Sequence, residues 1–434
     1  MHEKYGPVYR VWMGDFYTIV INDIELIKKI FIQHSDIFIN HPDTPTNRHY
    51  SNNYNGLIFT RDMDKWTTRR RILVSSLQKI KMKNVYSQLD VFVNQLLGSM
   101  KQHSDLDGGD QTIFYPRVHI QQFTMNIILQ MIMNKKVQVE QEEGLKNFYD
   151  MINLAFIDLG NSKLSDWVYI LQPFLSVYYK VKTDSLVPNV IKNQFLRKEY
   201  DEHLNSFSDE YKENPRDFID VLINQLQESD QQEKAQVCLN ICLDLIFAGV
   251  ETVSGVLDWS FVYLVNNPMI QQIAYKELVD VVGKDRNVKL SDRNSTPYLN
   301  AFIKEVCRIR VVGPLGVPRT CSEDIKIDGY LFPKDAQIIP NLYGIALNSN
   351  YWENPLEFDP SRFLKQQNNG FNIFSWGPRN CPGQQLANDE LYLAIGNIIK
   401  SFEVSSIDGN PIDDTGVFAL SLYPKPFPVN LKSR

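Results

Sequence analysis

The sequence contains few of the residues from which disulfide and metal sites are usually built. Its 434 residues include only five cysteines, and no two of them form a CxxC pair. A sparse, odd-numbered set excludes a disulfide framework and a zinc ribbon, and it indicates a reducing compartment. The seven histidines all lie at or before His203, so metal chemistry in the second half of the chain has to use other ligands.

Several motifs and segments are absent as well. The sequence has no HExxH, GxSxG, Walker A or GxGxxG motif, which argues against the zinc protease, serine hydrolase, P-loop and dinucleotide-binding classes. Its 45 basic and 51 acidic residues give a net charge of −6, which argues against a nucleic-acid-binding protein. No run approaches the roughly 20 apolar residues of a membrane span, and residues 1–10 lack the apolar core of a secretory signal.

What is present is typical of a large globular protein, with 43% hydrophobic and 22% charged residues. Strand-like runs at Val8–Met13 and Phe16–Ile21 flank Gly14-Asp15 and predict a β-hairpin. A helical pattern follows at Ile24–Gln33. Residues 41–57 are dense in Pro, Asn and Tyr, and they predict a long irregular loop.

The middle and the end of the chain have different patterns. Apolar residues recur at helical spacing through most of 62–310, with polar loops near 103–112, 159–164, 181–188 and 212–216. Helices are predicted to begin near Pro268 and Pro297. Beyond residue 311, Asp328-Gly329 predicts a second hairpin, and one more helix, at about 382–400, precedes a strand-rich tail.

We therefore predict one large domain, mainly α-helical with small β-sheets. No internal repeat and no linker-like segment divides it. Its parts are the N-terminal hairpin 8–21, the helical body 62–310, an irregular stretch with a cysteine loop at 340–383, and the C-terminal helix and strands 382–434.

The cysteine loop carries the most informative pattern, Phe374-Ser375-Trp376-Gly377-Pro378-Arg379-Asn380-Cys381-Pro382-Gly383. We expect Pro382 to occupy the first helical position, so that Cys381 meets the positive end of a helix, which favours a thiolate. Arg379 adds positive charge, and Gly377 and Gly383 allow backbone or a flat ligand to approach closely. A lone cysteine is more often a buried structural residue, but the fixed offsets of its neighbours favour a functional one.

The pattern FxxGxRxCxG resembles the haem-binding signature of the cytochrome P450 family of haem-thiolate monooxygenases. Three more segments resemble family motifs in the expected order. Ala248–Thr252 is similar to the AGxET segment of the central helix, Glu305 with Arg308 to the ExxR pair, and Phe358–Phe363 to the FxPxRF segment. The resemblance is to eukaryotic, microsomal-type members and extends from about Lys4 to the C-terminus.

This resemblance implies a role for each motif. Cys381 would be the metal ligand of haem b, iron protoporphyrin IX. Thr252 and Glu251 would be the catalytic residues, the first holding water where dioxygen binds and the second supplying protons. Gly249 would let the central helix widen beside them. The other members of the site would be a buried structural triad of Glu305, Arg308 and Arg362, and the cofactor-binding residues Trp66, Arg70, Arg319, Phe374, Arg379 and Gly383.

The resemblance also implies partners. We expect molecular oxygen and an NADPH-dependent reductase that presents an acidic docking face, because residues 61–83 hold eight basic and two acidic residues. Substrate contacts are expected around 41–60, 247–252, 311–316 and 418–422, which are mostly apolar and favour a lipophilic small molecule.

Two other functions stay open at this point. One is a haem-thiolate isomerase or dehydratase that works without a reductase, although such relatives typically lack the threonine. The other is a catalytically impaired haem-binding remnant, because the apolar anchor helix and Pro-rich hinge usual in eukaryotic members are not found before the first hairpin. We expect no membrane span in this chain and an intracellular, cytosol-facing protein.

Overall fold

The structure is a computed structural model that describes residues 2–78, 82–104, 113–135, 151, 154, 163–182, 187–228, 230–365, 370–418 and 420–434. Parts of three predicted loops, 105–112, 159–162 and 183–186, lie outside the described residues, as do Lys79 and Lys81 of the basic run. The protein is a single domain that is 56% helical with small sheets, which confirms the predicted fold class.

Helices form most of the molecule. In chain order they are α1 (His2–Tyr5), α2 (Ile24–Lys28, continued by a π-helical turn at Lys29–Gln33), α3 (Pro45–Tyr50), α4 (Met63–Ser76), α5 (Lys83–Tyr86), α6 (Leu89–Lys101), α7 (Pro116–Met133), α8 (Leu164–Trp167), α9 (Gln172–Val181), α10 (Val187–Val190, Ile191–Leu196 and Arg197–Ser206 in succession), α11 (Asp209–Glu213), α12 (Phe218–Gln225), α13 (Gln231–Asn266), α14 (Pro268–Val282), α15 (Pro297–Ile309), α16 (Leu342–Ala346) and α17 (Gln384–Ser401). Short 3-10 turns occur at Tyr169–Leu171, Leu290–Ser295 and Pro360–Phe363.

The described residues also contain short strands. They are β1 (Val8–Met13), β2 (Phe16–Ile21), β3 (Arg319–Thr320), β4 (Ile325–Ile327), β5 (Tyr330–Phe332), β6 (Gln337–Pro340), β7 (Phe402–Ser405), β8 (Val417–Phe418), β9 (Leu422–Tyr423) and β10 (Asn430–Ser433). The largest sheet has the order β1-β2-β6-β3, in which β2 and β6 are parallel.

Both predicted hairpins are observed. Strands β1 and β2 pair antiparallel with Val8 opposite Ile21, and β4 pairs with β5. At the second turn, Asp328 and Gly329 have φ angles of 49° and 88°. Positive φ at both central residues is what a tight type I′ turn requires, and Asp-Gly supplies it at little cost.

The prediction of an irregular loop over 41–57 is wrong for Pro45–Tyr50, which forms α3. The Thr44 side chain caps this helix by accepting the N–H of Asn47, and Pro45 lies in its first turn. The Thr46 hydroxyl then donates to Asp166 at 2.6 Å, 120 residues away in α8. A contact of this kind leaves no periodicity in the local sequence, so the Pro- and Asn-rich composition gave the wrong expectation.

The 36-residue helix α13 runs through the centre of the protein and is buried on nearly every side. Of the described helices, it is the one long and apolar enough to cross a membrane, but 83% of its most apolar stretch is buried inside the protein, as in a core helix. The helix stays α-helical through Gly249, so the expected widening is not observed. A Cβ at Gly249 would overlap Ile128 of α7, so this glycine serves close helix packing.

Candidate functional site

The loop that carries Cys381 is held in a tight conformation by its own backbone. The N–H of Cys381 donates to the carbonyl of Phe374 at 2.9 Å, and the N–H of Asn380 donates to that of Gly377 at 3.0 Å. Gly377 has a φ of 75°, and a Cβ there would overlap the Phe31 carbonyl beside α2. Only glycine satisfies both the positive φ and the close backbone contact.

Helix α17 begins directly after this loop, two residues later than we expected. Its first residue is Gln384 and its N-cap is Gly383, so Pro382 precedes the helix and does not occupy its first position. A Cβ at Gly383 would meet no atom within 4 Å, so there is open space where a side chain would point.

The sulfur of Cys381 lies at this helix end and is accessible, whereas Cys238, Cys242, Cys307 and Cys321 are buried. Crowding by surrounding protein atoms raises the pKa of the Cys381 thiol above its ordinary value. The backbone N–H of Gly383, the charge of Arg70 and the backbone N–H of Gln384 act in the opposite direction on that pKa. Coordination to a metal deprotonates such a thiol outright, and the same donors would then stabilise the thiolate.

In the middle of helix α13, Ala248 and Thr252 are exposed, although most of the residues around them are buried. The hydroxyl of Thr252 donates to the carbonyl of Ala248 at 2.6 Å. Residues 57–60 connect this helix to the cysteine loop. Asp244 of α13 accepts the N–H groups of Leu57 and Ile58 at 2.6 and 3.0 Å. Arg379 in turn donates to the carbonyls of Ile58 and Thr60 at 3.0 and 2.5 Å.

Three arginines that were predicted from scattered sequence positions come together beside Cys381. Arg70 of α4 donates to the backbone carbonyl and side-chain carbonyl of Asn380 at 2.6 and 2.7 Å. Arg319 of β3 donates to the backbone carbonyl of Arg379 at 3.3 Å. The Arg379 guanidinium stacks on the buried ring of Trp66, 4.4 Å from the ring centre.

These three positive charges repel one another. Burial, together with the charges of Arg319 and Arg70, lowers the pKa of Arg379 to about 8. Burial and the charge of Arg70 lower the pKa of Arg319 to about 9. Among the described residues, none of the three forms an ion pair with a carboxylate. A buried cluster of guanidinium groups without a counter-charge is suited to an anionic ligand, above all one with two carboxylates.

Comparison with known proteins agrees with this geometry. The sequence model of the family described as Cytochrome P450 matches residues 1–431. "Probable cytochrome P450 508A1" of Dictyostelium discoideum is 36% identical, and the alignment covers 100% of this chain and 88% of that protein. "Probable cytochrome P450 508D1" of the same organism is 34% identical with the same coverage. The chain belongs to the cytochrome P450 family.

Solved structures agree with the fold of this cytochrome P450. A zebrafish cytochrome P450 determined with progesterone has a TM-score of 0.84 and 24% sequence identity, over 100% of this chain and 97% of the other. A second structure of a zebrafish cytochrome P450, with abiraterone, has a TM-score of 0.82 and 25% identity over the same shares.

The family binds haem through a cysteine thiolate, and the described residues fit such a group. Haem needs a soft ligand, a flat space and cations for two propionates. The accessible sulfur of Cys381, the open space at Gly383, the accessible face at Thr252 and the arginine cluster supply these features. Phe374 contributes its backbone carbonyl to the cysteine loop and is half-buried.

His41, which no sequence motif marks, completes the arginine cluster. Its Nδ1 lies 2.8 Å from the Pro318 carbonyl, an acceptor, so Nδ1 carries the proton. Nε2 can then accept from Arg319 at 3.0 Å. Burial and the charges of Arg319 and Arg379 lower the pKa of His41 well below its usual range, so the ring is neutral. The two partners are 278 residues apart, and no local signal marked His41.

The ExxR triad has the geometry that the family resemblance predicted. Arg308 donates through Nε and Nη2 to the two carboxylate oxygens of Glu305 at 2.7 and 2.8 Å, and Arg362 donates through Nε at 3.0 Å. The backbone N–H of Asp359 adds a fourth hydrogen bond to Glu305 at 2.9 Å. Both arginines also donate to backbone carbonyls of residues 353–357, so the triad holds the segment that leads to the cysteine loop.

Glu251 does not stand free beside Thr252. Its carboxylate is buried and forms an ion pair with Arg117 of α7 at 2.5 Å. A second contact, at 3.4 Å, comes from the side-chain amide of Gln121. In this arrangement the carboxylate is bound to α7, and its assignment as the acid of the site stays a prediction.

The basic run over 61–83 presents fewer unpaired positive charges at the surface than its composition suggests. Arg61 pairs with Asp43 at 2.8 Å, Lys65 with Glu233 at 3.6 Å, and the buried Arg69 with Glu228 at 2.9 Å. Arg70 belongs to the arginine cluster, whereas Arg71 and Lys83 are exposed. Tertiary contacts therefore neutralise several of the charges that the sequence counted as a surface.

Proposed function

We propose that this cytochrome P450 inserts one oxygen atom from dioxygen into a lipophilic small molecule, with two electrons supplied by a reductase. Membership of the family supports a haem-thiolate monooxygenase in general terms. The observation that carries the finer proposal is the exposed Thr252, which together with Ala248 forms an accessible patch on a stretch of α13 that is otherwise mostly buried. On this patch the hydroxyl can contact a water molecule while it keeps its hydrogen bond to the Ala248 carbonyl.

Cys381 is the residue we assign as the thiolate ligand, and Arg70, Arg319, Arg379 and Trp66 as the residues that hold the propionates. When bound, haem supplies dioxygen binding and O–O bond cleavage, which an axial thiolate favours. The N–H groups of Gly383 and Gln384 adjust the basicity of that sulfur. The arginines anchor the group by charge and fix its orientation through their planar donor geometry.

Thr252 is assigned the handling of protons at the active site. Its hydroxyl now donates to the Ala248 carbonyl, which leaves its lone pairs available to accept from a water molecule in the open space. By exchanging partners, the hydroxyl can hold that water in place and pass on a proton without moving the helix. Glu251, one residue earlier, is the group we assign to replenish the proton.

Two contacts between the predicted substrate segments support the assignment of these segments to the substrate site. The N–H of Leu422 donates to the carbonyl of Val312 at 2.9 Å, which joins the segments 311–316 and 418–422. Tyr50 of α3 packs against Phe247, the neighbour of Ala248, with ring centres 6.5 Å apart. These walls are apolar, which supports a lipophilic substrate. For the reductase, we assign docking to Arg71 and Lys83, two exposed basic residues of the run over 61–83.

The test combines two measurements on the haem-loaded protein. A reduced carbon monoxide spectrum reports whether the thiolate ligand is intact, and product formation from a panel of apolar compounds is measured with and without a reductase. We expect an intact thiolate spectrum and product only with the reductase. Thr252→Ala should keep the spectrum and divert electrons to peroxide. Unchanged product yield per electron in this variant would refute the role of the hydroxyl.

A further inference from the structure

One arginine is shared by two buried carboxylates next to the proposed haem site. Arg117, in the first turn of α7, donates through Nη2 to Oε1 of Glu251 at 2.5 Å and through Nη1 to Oδ2 of Asp258 at 2.6 Å. The carboxylate side chains are 2% and 1% exposed, whereas that of Arg117 is 26% exposed. Asp258 follows Glu251 by two turns of α13, a spacing that one guanidinium fork can bridge.

The charges in this cluster do not balance. One guanidinium faces two carboxylates, and a surplus buried negative charge is costly unless a proton neutralises it. The two carboxylates differ in their second oxygen. Oε2 of Glu251 lies 3.4 Å from the Gln121 amide, whereas Oδ1 of Asp258 is buried without a hydrogen-bond partner among the described residues. The surplus proton therefore belongs on Asp258.

The pKa of Asp258 agrees with this assignment. That pKa is raised to about 6, because the raising effects of burial and of the Glu251 charge exceed the lowering effect of Arg117. The groups that face the cluster from neighbouring elements are Gln121 of α7 and Tyr423 of β9, whose ring centre lies 5.2 Å from the Arg117 guanidinium carbon. Asp258 thus changes its charge near pH 6.

We propose that Arg117 and Asp258 are positioning residues for Glu251, and that the charge of Asp258 decides how tightly Arg117 holds the Glu251 carboxylate. The inference rests on the proton-supplying role proposed above for Glu251. When Asp258 is neutral, Arg117 pairs with Glu251 alone and keeps its carboxylate bound to α7. When Asp258 is ionised, Arg117 is shared between the two carboxylates, so it holds Glu251 less tightly. The proton that Asp258 gains or loses is exchanged with solvent.

The decisive variant is Asp258→Asn, which keeps the shape of the side chain and makes it permanently neutral. Asp280→Asn, at an exposed position of α14, is the matched control. The measurement is product formed per electron consumed, from about pH 5 to about pH 8, the range in which a group with this pKa titrates. The yield of the wild type should rise in a step centred near pH 6, where Asp258 ionises. Asp258→Asn should lose the step and stay at the low-pH value, and Asp280→Asn should keep it.

A second measurement does not depend on turnover. Infrared difference spectra are taken between pH values, once on the haem-free and once on the haem-loaded wild-type protein. Both should show a protonated carboxyl band that titrates near pH 6, and this band should be missing from Asp258→Asn. If Asp258→Asn does not fold, Arg117→Lys provides the second variant, because an ammonium keeps the charge but lacks the planar fork that reaches both carboxylates. Arg117→Lys should shift the pH at which the carboxyl band titrates and the pH of the step in product yield by the same amount.

The outcomes separate this proposal from the proposed function. Product formation by the wild type with an unchanged step in Asp258→Asn overturns the positioning role and leaves the monooxygenase assignment standing. A wild type that binds haem but forms no product with any reductase overturns the proposed function and the positioning role with it. Absence of a carboxyl band that titrates near pH 6 overturns the assignment of the surplus proton to Asp258.

Discussion

Replacement of Glu305 by glutamine is the sharpest test of how the fold holds the cysteine loop. Glu305 is completely buried and forms ion pairs with both Arg308 and Arg362, of which 0% and 5% are exposed. Glutamine keeps the size and one acceptor oxygen but removes the charge, which leaves two buried guanidinium groups unpaired. Removal of one partner of a buried ion pair costs roughly 3–5 kcal/mol. We expect a loss of that size in the free energy of unfolding.

The chain offers a control with the same spacing. Glu25 and Lys28 also form an i, i+3 pair, at 2.8 Å, but their side chains are 74% and 30% exposed. Exposed pairs contribute about 0–1 kcal/mol, so Glu25→Gln should change the free energy of unfolding by no more than that. The two substituted glutamates therefore have the same spacing from their basic partner along the helix, but only Glu305 is buried.

The assay is denaturant unfolding of both variants in the haem-free protein, followed by measurement of haem content after reconstitution. Glu305→Gln should lower the unfolding midpoint strongly and reduce haem content, because the segment that presents Cys381 loses its anchor. Glu25→Gln should match the wild type in both. Equal midpoints for the two variants, or full haem content in Glu305→Gln, would contradict the reasoning from burial and charge.

Two further predictions concern the arginine cluster and a half-buried histidine. Arg319→Gln should raise the unfolding midpoint of the haem-free protein, because it removes the buried member of a cluster of three mutually repelling cations. The same variant should speed haem loss to a scavenger from the loaded protein. A lower unfolding midpoint or an unchanged rate of haem loss would contradict the counter-charge argument. His119 stacks on Phe114, and burial, together with His103, lowers its pKa to about 4. Because an unfolded imidazole titrates near about 6.5, protonation favours the unfolded state, and this side chain makes stability fall as the pH drops from about 6.5 to about 4. His119→Gln should flatten that part of the pH profile of unfolding, and an unchanged slope would show that another group is responsible.

The predictions that succeeded were those that depend on short stretches of chain. The hairpin at Asp328-Gly329 and the helix that follows Thr296-Pro297 are marked by residues whose φ preferences act locally. The ExxR pair was also readable, because positions i and i+3 share a helix face in any sequence. Small errors arose at boundaries, such as the start of α17 at Gln384, where Pro382 suggested an earlier start.

The amino-acid sequence by itself determined the family, because the cysteine loop around Cys381, the Ala248–Thr252 segment and the pair Glu305 and Arg308 are short motifs with fixed internal spacing. Only the tertiary structure decided how those groups are charged and held. His41 meets Arg319 across 278 residues, and Arg117 meets Glu251 across 134. Such pairings and the burial that shifts their pKa values depend on how distant segments pack together, and no local pattern of residue types encodes that packing.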